Sequence, residues 1–207
     1  MDVTQPHTVI CPTLDSGVLS VLAGTTRPLT GREVARLMGR NSHSGVLDVL
    51  HRLAAHGLVD SQEAGNALLY TLNRDHLAAP AVAVLAGIRA ELLDRLRETI
   101  EGWEVQPVQV SMFGSVARRD GDVDSDIDLF VVRPSDVSDE DSGWRDQIDR
   151  LATSVRRWTG NRAAVAEVGE GEVGRLSQDE PPIVNELRSD AIALTGPDIA
   201  ALFGAPR

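Results

Sequence analysis

The chain has 207 residues, of which 42% are hydrophobic and 25% charged, a globular balance that excludes wholesale disorder. Its net charge of −11 argues against non-specific coating of nucleic acids and against binding to anionic membranes. Every basic residue is an arginine and Cys11 is the single cysteine, so lysine chemistry, an intrachain disulfide and a thiolate metal cluster are excluded.

Three short helices are predicted before residue 58. The first begins near Asp15 and stops at Gly24. Thr30 and Glu33 have the spacing of a capping box, which predicts that a second helix starts there. A third helix is predicted to begin within residues 41–44.

The periodicity then changes to two, because residues 58–61 and 68–72 alternate on either side of a glycine-containing turn. Three helices followed by a β-hairpin predict an N-terminal winged helix-turn-helix over residues 1–78. On its third helix the candidate DNA contacts are Asn41, Ser42, His43 and Arg52. The same module could instead serve dimerisation or docking of a partner, and the sequence leaves both open.

The remainder, residues 79–207, is predicted to be a second domain that begins with a connecting helix over 79–103. Its predicted strands cover residues 108–112, 127–132, 163–168 and 191–194, and its predicted helices cover residues 144–158 and 183–190. The predicted fold class is therefore α+β, a small mixed sheet flanked by helices behind the N-terminal module. No apolar run approaches the roughly 20 residues of a membrane span, and we expect a cytoplasmic protein.

The informative segment joins the first two of these strands. Gly114 permits an unusual backbone and the close approach of a ligand. Ser115 opens a helical turn whose free N–H groups and hydroxyl can hold a phosphate. Arg118 lies one turn further along, where it could reach the same anion or pin the loop.

Asp126 and Asp128 follow on the second predicted strand. Residues two apart on a strand point to the same face, so the two carboxylates could converge on hard cations that prefer oxygen ligands. Because aspartate is abundant in this chain, two aspartates at this spacing are a weak signal by themselves. Their position in an apolar strand makes the signal stronger, since an unpartnered carboxylate is costly there.

Gly114-Ser115, ten further residues and then Asp126-Ile127-Asp128 resemble the signature of the nucleotidyltransferase superfamily, which includes DNA polymerase beta and the aminoglycoside nucleotidyltransferases. The fuller string, Gly-Ser-x-Ala-Arg ending in Ser-Asp-Ile-Asp-Leu, is similar to the minimal nucleotidyltransferases of prokaryotes. The strand–helix–strand context extends this resemblance to roughly residues 105–195.

The resemblance implies that Gly114 and Ser115 hold a triphosphate and that Asp126 and Asp128 ligate Mg²⁺ or Mn²⁺. A third carboxylate on a later strand usually completes such a site and can act as the base. Glu167 is the candidate here, with a plain surface role as the alternative. Arg119 stands where the family commonly has glycine.

The predicted function is therefore transfer of a nucleoside monophosphate from an NTP, ATP being our first choice, to a hydroxyl of a protein or RNA. Related minimal nucleotidyltransferases suggest a link to toxin–antitoxin pairs. The alternative is a winged-helix transcriptional regulator that binds DNA and whose second domain senses a nucleotide or has decayed. The sequence also leaves open whether the protein is a homodimer.

Overall fold

The computed structural model describes residues 1–39 and 43–204. Contacts divide the chain into two compact units, one made of Gln5–Arg89 and the other of Met1–Thr4 with the chain from Ala90 onward. The sequence predicted a boundary at the start of the connecting helix, whereas the contacts divide the chain within that helix. None of the described helices has the length and apolar character needed to cross a bilayer.

Within residues 5–39 and 43–89, the first unit contains a short 3-10 helix (Pro6–Val9), three α-helices, a three-stranded antiparallel sheet and the start of a fourth α-helix. Its elements are α1 (Leu14–Ala23), β1 (Leu29–Thr30), α2 (Gly31–Leu37), α3 (His43–Ala55), β2 (Val59–Ala64) and β3 (Ala67–Leu72). The strand order is β1-β3-β2, and β2 and β3 form the predicted hairpin across Gly65 and Asn66. Apolar side chains from all of these elements bury one core, which includes Leu22, Val34, Leu50 and Tyr70.

The predicted capping box at the start of α2 is confirmed. The backbone N–H of Glu33 donates to the Thr30 hydroxyl, and the Glu33 carboxylate accepts from the backbone N–H of Thr30 at 2.8 Å. Hydrogen bonds to this carboxylate, first from the Thr30 backbone N–H and then from Arg27 and the Thr30 hydroxyl, lower the pKa of Glu33 to about 2. The capping box therefore satisfies two backbone N–H groups at the start of the helix, those of Thr30 and Glu33.

One long helix, α4 (Ala79–Glu101), belongs to both units. Val82 near its start is buried in the first core. Leu92, Leu96 and Ile100 near its end are buried in the core of the second unit. This is the helix that the apolar periodicity predicted.

The second unit is built on a four-stranded mixed sheet of order β6-β5-β4-β7. Its strands are β4 (Gln109–Phe113), β5 (Ile127–Arg133), β6 (Ala163–Gly169) and β7 (Ile192–Thr195). β4 pairs antiparallel with β5 and β7, and β5 pairs parallel with β6. The predicted small mixed sheet is confirmed.

Helices cover both faces of this sheet. Its helices after α4 are α5 (Gly114–Arg118), α6 (Ser142–Thr159), α7 (Val173–Asp179), α8 (Pro182–Asp190) and α9 (Ile199–Phe203). On one face α4 and α6 pack against Ile127, Leu129 and Val131 of β5. On the other, α7, α8 and α9 pack against Phe130 and Val132. The alternation of β5 thus assigns each of its side chains to a face.

Candidate active site

The turn that follows β4 brings Asp128 against Gly114. β4 ends at Phe113, which is paired with Asp128 of β5, and the chain turns at Gly114 directly into α5. Gly114 has φ +72°, in the left-handed region that glycine adopts without steric cost. A Cβ added there would clash with Oδ2 of Asp128 and would lie 3.2 Å from its Cγ. The turn therefore requires glycine for its backbone and for the carboxylate packed against it.

The loop after α5 folds back over Ser115. The backbone N–H groups of Asp120 and Gly121 donate to the Ser115 carbonyl at 3.1 and 3.2 Å. A Cβ added at Gly121 would lie 3.1 Å from the hydroxyl oxygens of both Ser115 and Ser125. The hydroxyls of Ser115 and Ser125 therefore both lie beside Gly121, and sequence reasoning considered only Ser115.

A buried asparagine, Asn161, holds this loop in place. The Asn161 side-chain amide donates to the carbonyls of Ser125 at 2.9 Å and Val123 at 3.2 Å. The Thr4 hydroxyl donates to the Gly121 carbonyl at 3.3 Å. The segment that leads into Asp126 is therefore fixed by contacts rather than freely solvated.

Asp126 and Asp128 differ in their surroundings. The strand begins at Ile127, so Asp126 precedes β5 and is exposed, and the prediction that it lies inside the strand is wrong. Asp128 is half-buried, and this burial raises the pKa of its carboxyl group. The charges of Asp126 and Glu186 raise that pKa further, while Arg118 lowers it. The site thus concentrates negative charge that the described side chains balance only in part.

Arg118 is engaged by two carboxylates. Its guanidinium donates to Asp190 at 2.7 Å and to Asp120 at 3.1 Å, and these bonds, the one to Asp190 foremost, raise the pKa of Arg118. Of the two roles that the sequence left open, this geometry supports pinning of the loop. The next residue, Arg119, is exposed and has φ +68°, a conformation that favours glycine, the residue common there in the family.

Glu167 does not join the aspartates. In the parallel register it lies beside Val131, on the sheet face opposite to Asp128. Its carboxylate accepts from Arg133 at 2.9 Å, from Trp144 Nε1 at 3.1 Å and from Arg145 at 3.2 Å, and its side chain is 13% exposed. We therefore correct the expectation that Glu167 completes the site, because three donors already occupy it on the far face.

Glu186 is the carboxylate that sequence reasoning missed. It lies on α8 and is exposed, and its charge contributes to the raised pKa of Asp128. The apolar spacing of Ile183, Val184 and Leu187 does predict which face of α8 is buried. It does not predict which neighbour the helix meets, so Glu186 could not be placed near Asp128 in advance.

The donor set suits a hard divalent cation. Mg²⁺ usually binds through one or two protein carboxylates and completes its shell with water and substrate phosphates. Within residues 1–39 and 43–204, no three histidine, cysteine or acidic side chains converge closely enough to hold an ion. Asp126 and Asp128 are two carboxylates, a number that suits Mg²⁺ or Mn²⁺ bound together with a triphosphate.

Two of the four residues predicted to contact DNA lie within the part of the chain that the structure describes. Asn41 and Ser42 lie outside the described residues. His43 is exposed at the first turn of α3. Arg52 donates to the Asp15 carboxylate of α1, so a phosphate would have to compete with an existing ion pair.

Comparison with known proteins supports the interpretation of the second unit. Residues 90–169 match the family model described as the nucleotidyltransferase domain, a segment that contains the Gly114 turn and strands β4, β5 and β6. Searches of curated proteins and of solved structures gave no match. The match supports assignment of residues 90–169 to the nucleotidyltransferase superfamily.

Proposed function

We propose that the protein transfers a nucleoside monophosphate from an NTP, with ATP as the first candidate, to a hydroxyl group. The domain match supports general transfer chemistry of this kind. In the reaction the acceptor oxygen bonds to the α-phosphorus, the bond to the bridging oxygen breaks, and pyrophosphate leaves with that electron pair.

The observation that carries this proposal is the packing of the Asp128 carboxylate against the left-handed Gly114. A triphosphate at the turn would meet backbone N–H groups and the Ser115 hydroxyl within reach of the two aspartates. Asp126 and Asp128 would hold the divalent cation, which when bound supplies positive charge that stabilises the developing charge on the phosphates. Arg118 would hold the helix that begins at this turn in place through its ion pair with Asp190.

The acceptor is proposed to be a protein or an RNA, and the charges near the turn favour the protein. Asp122, Asp124, Asp126 and Glu186 are exposed there. A polyanionic RNA would be repelled by these groups, whereas a protein hydroxyl would not. A small protein encoded beside this one, as in a toxin–antitoxin pair, is the first acceptor to test.

The test is transfer of radiolabel from each of the four α-labelled NTPs with Mg²⁺. The acceptors offered are the protein itself, bulk tRNA and the product of the neighbouring gene. We expect labelling by the wild type, and labelling at background by Asp126→Ala, which removes an exposed carboxylate. Labelling that persists in Asp126→Ala would contradict the proposed metal site.

We propose as a second function that residues 5–89 act as a winged helix that binds DNA or docks a partner. The supporting observation is the element order α1-β1-α2-α3-β2-β3 with its three-stranded sheet. The exposed strand β2 carries Asp60 and Glu63 and no arginine, so the hairpin would repel phosphates. Recognition would then depend on base contacts from α3.

Titration of the full chain with its own upstream DNA at several salt concentrations tests this second function. Specific binding that weakens when Asn41 and His43 are replaced by alanine would support it. The matched control is Thr26→Ala, at an exposed polar residue outside α3. Absence of binding at low salt would contradict DNA binding and favour docking.

A further inference from the structure

The strand beside Asp128 supplies no acid on the side of the site. β6 is paired in parallel with β5, with Ala164 beside Asp128 and Ala166 beside Phe130. Side chains at these positions share a face with Asp128, and both are methyl groups. The acid of β6, Glu167, is on the opposite face, where Arg133 binds it. A further carboxylate on this face would therefore have to come from another element.

The helix α8 brings a carboxylate, that of Glu186, toward the turn at Gly114. Val184 and Leu187 are buried with Phe113 and Phe130, which anchors α8 on the Asp128 face of the sheet. At the end of this helix Asp190 forms the 2.7 Å ion pair with Arg118 of α5. Residues four apart on a helix lie on one side of it, so Glu186 is directed toward the same edge as Asp190.

Glu186 and Asp190 differ in exposure. Asp190 is 8% exposed and ion-paired. Glu186 is exposed. Its charge reaches Asp128, and repulsion between neighbouring carboxylates is unfavourable unless a ligand relieves it.

We infer that the Glu186 carboxylate receives the proton of the acceptor hydroxyl, an inference that rests on the proposed function. Its exposure leaves the carboxylate open to an acceptor that approaches the turn. As the acceptor oxygen bonds to the α-phosphorus, its proton moves to a Glu186 oxygen. Pyrophosphate leaves with the electron pair of the broken bond, and the proton then passes from Glu186 to water.

The experiment compares transfer with nucleotide binding in four variants of the full chain. Glu186→Gln keeps the shape of the side chain without its basic carboxylate, and Glu186→Asp keeps the carboxylate on a shorter stem. Asn185→Ala, next along α8, and Asp149→Asn, an exposed acid on α6, are the matched controls. Single-turnover transfer is measured to the acceptor that the wild type labels, and calorimetry measures binding of Mg²⁺ with a non-hydrolysable ATP analogue.

We expect Glu186→Gln to slow transfer by about 100-fold or more, the typical contribution of a general base. Glu186→Asp should recover part of the rate, and both controls should match the wild type. The affinity of Glu186→Gln for Mg²⁺ with the nucleotide should change by less than about threefold, which converts to under about 1 kcal/mol. Wild-type transfer by Glu186→Gln would overturn the inference. Loss of nucleotide binding in that variant would also overturn it, by making Glu186 a ligand of metal or phosphate. A wild type that binds nucleotide but labels no acceptor would contradict the proposed function itself.

Discussion

Asp128 and Glu167 are acids on adjacent strands of one sheet. Their side chains lie on opposite faces of that sheet and have different partners. Glu167 receives hydrogen bonds from Arg133, Trp144 and Arg145. Asp128 packs against Gly114, and two further acids and one already ion-paired arginine act on it electrostatically. An acid in an apolar strand therefore does not identify a catalytic group. Its partners distinguish an acid that stabilises the fold from one that can still bind a ligand.

The largest expected effect comes from removing the negative charge of Asp128, one of the two acids proposed to bind the metal. Asp128→Asn should lower nucleotidyl transfer by about 1,000-fold or more, because positive charge at the phosphates is worth several kcal/mol in the transition state. The measurement is single-turnover transfer with Mg²⁺. The equivalent change on the other face, Glu167→Gln, is the control, and we expect its rate per folded molecule to stay within about threefold of the wild type. A similar loss of rate in both variants would abolish the distinction between the faces.

Gly114→Ala tests the packing that carries the proposal. The new methyl group requires a strained left-handed backbone and meets the Asp128 carboxylate, so it should displace that carboxylate. Displacements of about 1 Å at a reacting centre can cost about 100-fold in rate. Transfer kinetics and circular dichroism of the same sample separate this effect from unfolding. Gly171→Ala, where an added Cβ meets nothing within 4 Å, is the control, and equal rates in the two variants would contradict the assigned geometry.

Glu167→Ala tests the stabilising side of the comparison. It leaves Arg133, which is 16% exposed, without its carboxylate and also removes the partner of Trp144. Breaking a largely buried pair from one side costs about 3 kcal/mol, which denaturant unfolding measures. The control is Glu91→Ala, which removes an exposed ion pair with Arg95 and should cost well under about 1 kcal/mol. Equal costs would show that the network on the far face does not stabilise the fold.

The smallest predicted effect is the pH dependence that Asp128 contributes. Its pKa is raised in the folded protein, mainly by burial and further by Asp126 and Glu186. The folded protein therefore retains this proton at pH values where the unfolded chain has released it, and stability falls as pH rises through that interval. Asp128→Asn removes the penalty, so its melting temperature should exceed that of the wild type at pH 7, with a difference that shrinks toward pH 4. A difference that grows on acidification would have the wrong sign.

The sequence was most informative where local rules decide the structure. The capping box at Thr30 and Glu33 depends on residues three apart, and it formed as predicted. The Gly114 turn and its distance to Asp128 are likewise encoded in one short segment. The periodicity of the apolar residues also predicted the strands of the mixed sheet.

The misplacement of Asp126 is an error of one residue at a strand boundary, whereas the errors at Glu167 and Glu186 concern long-range pairing. Whether Glu167 shares a face with Asp128 depends on the register of β6 against β5, and a shift by one residue would reverse the answer. No local pattern fixes that register. Glu186 is a similar case, because its place near Asp128 depends on how α8 packs against a sheet formed by distant segments.

Binding of Mg²⁺ with a non-hydrolysable ATP analogue, measured by calorimetry, tests the central claim most directly. We predict one site per chain in the wild type and in Glu167→Gln, and loss of binding in Asp126→Asn and Asp128→Asn. Unchanged binding in both aspartate variants would contradict the claim that the turn at Gly114 and these two carboxylates form one metal–nucleotide site.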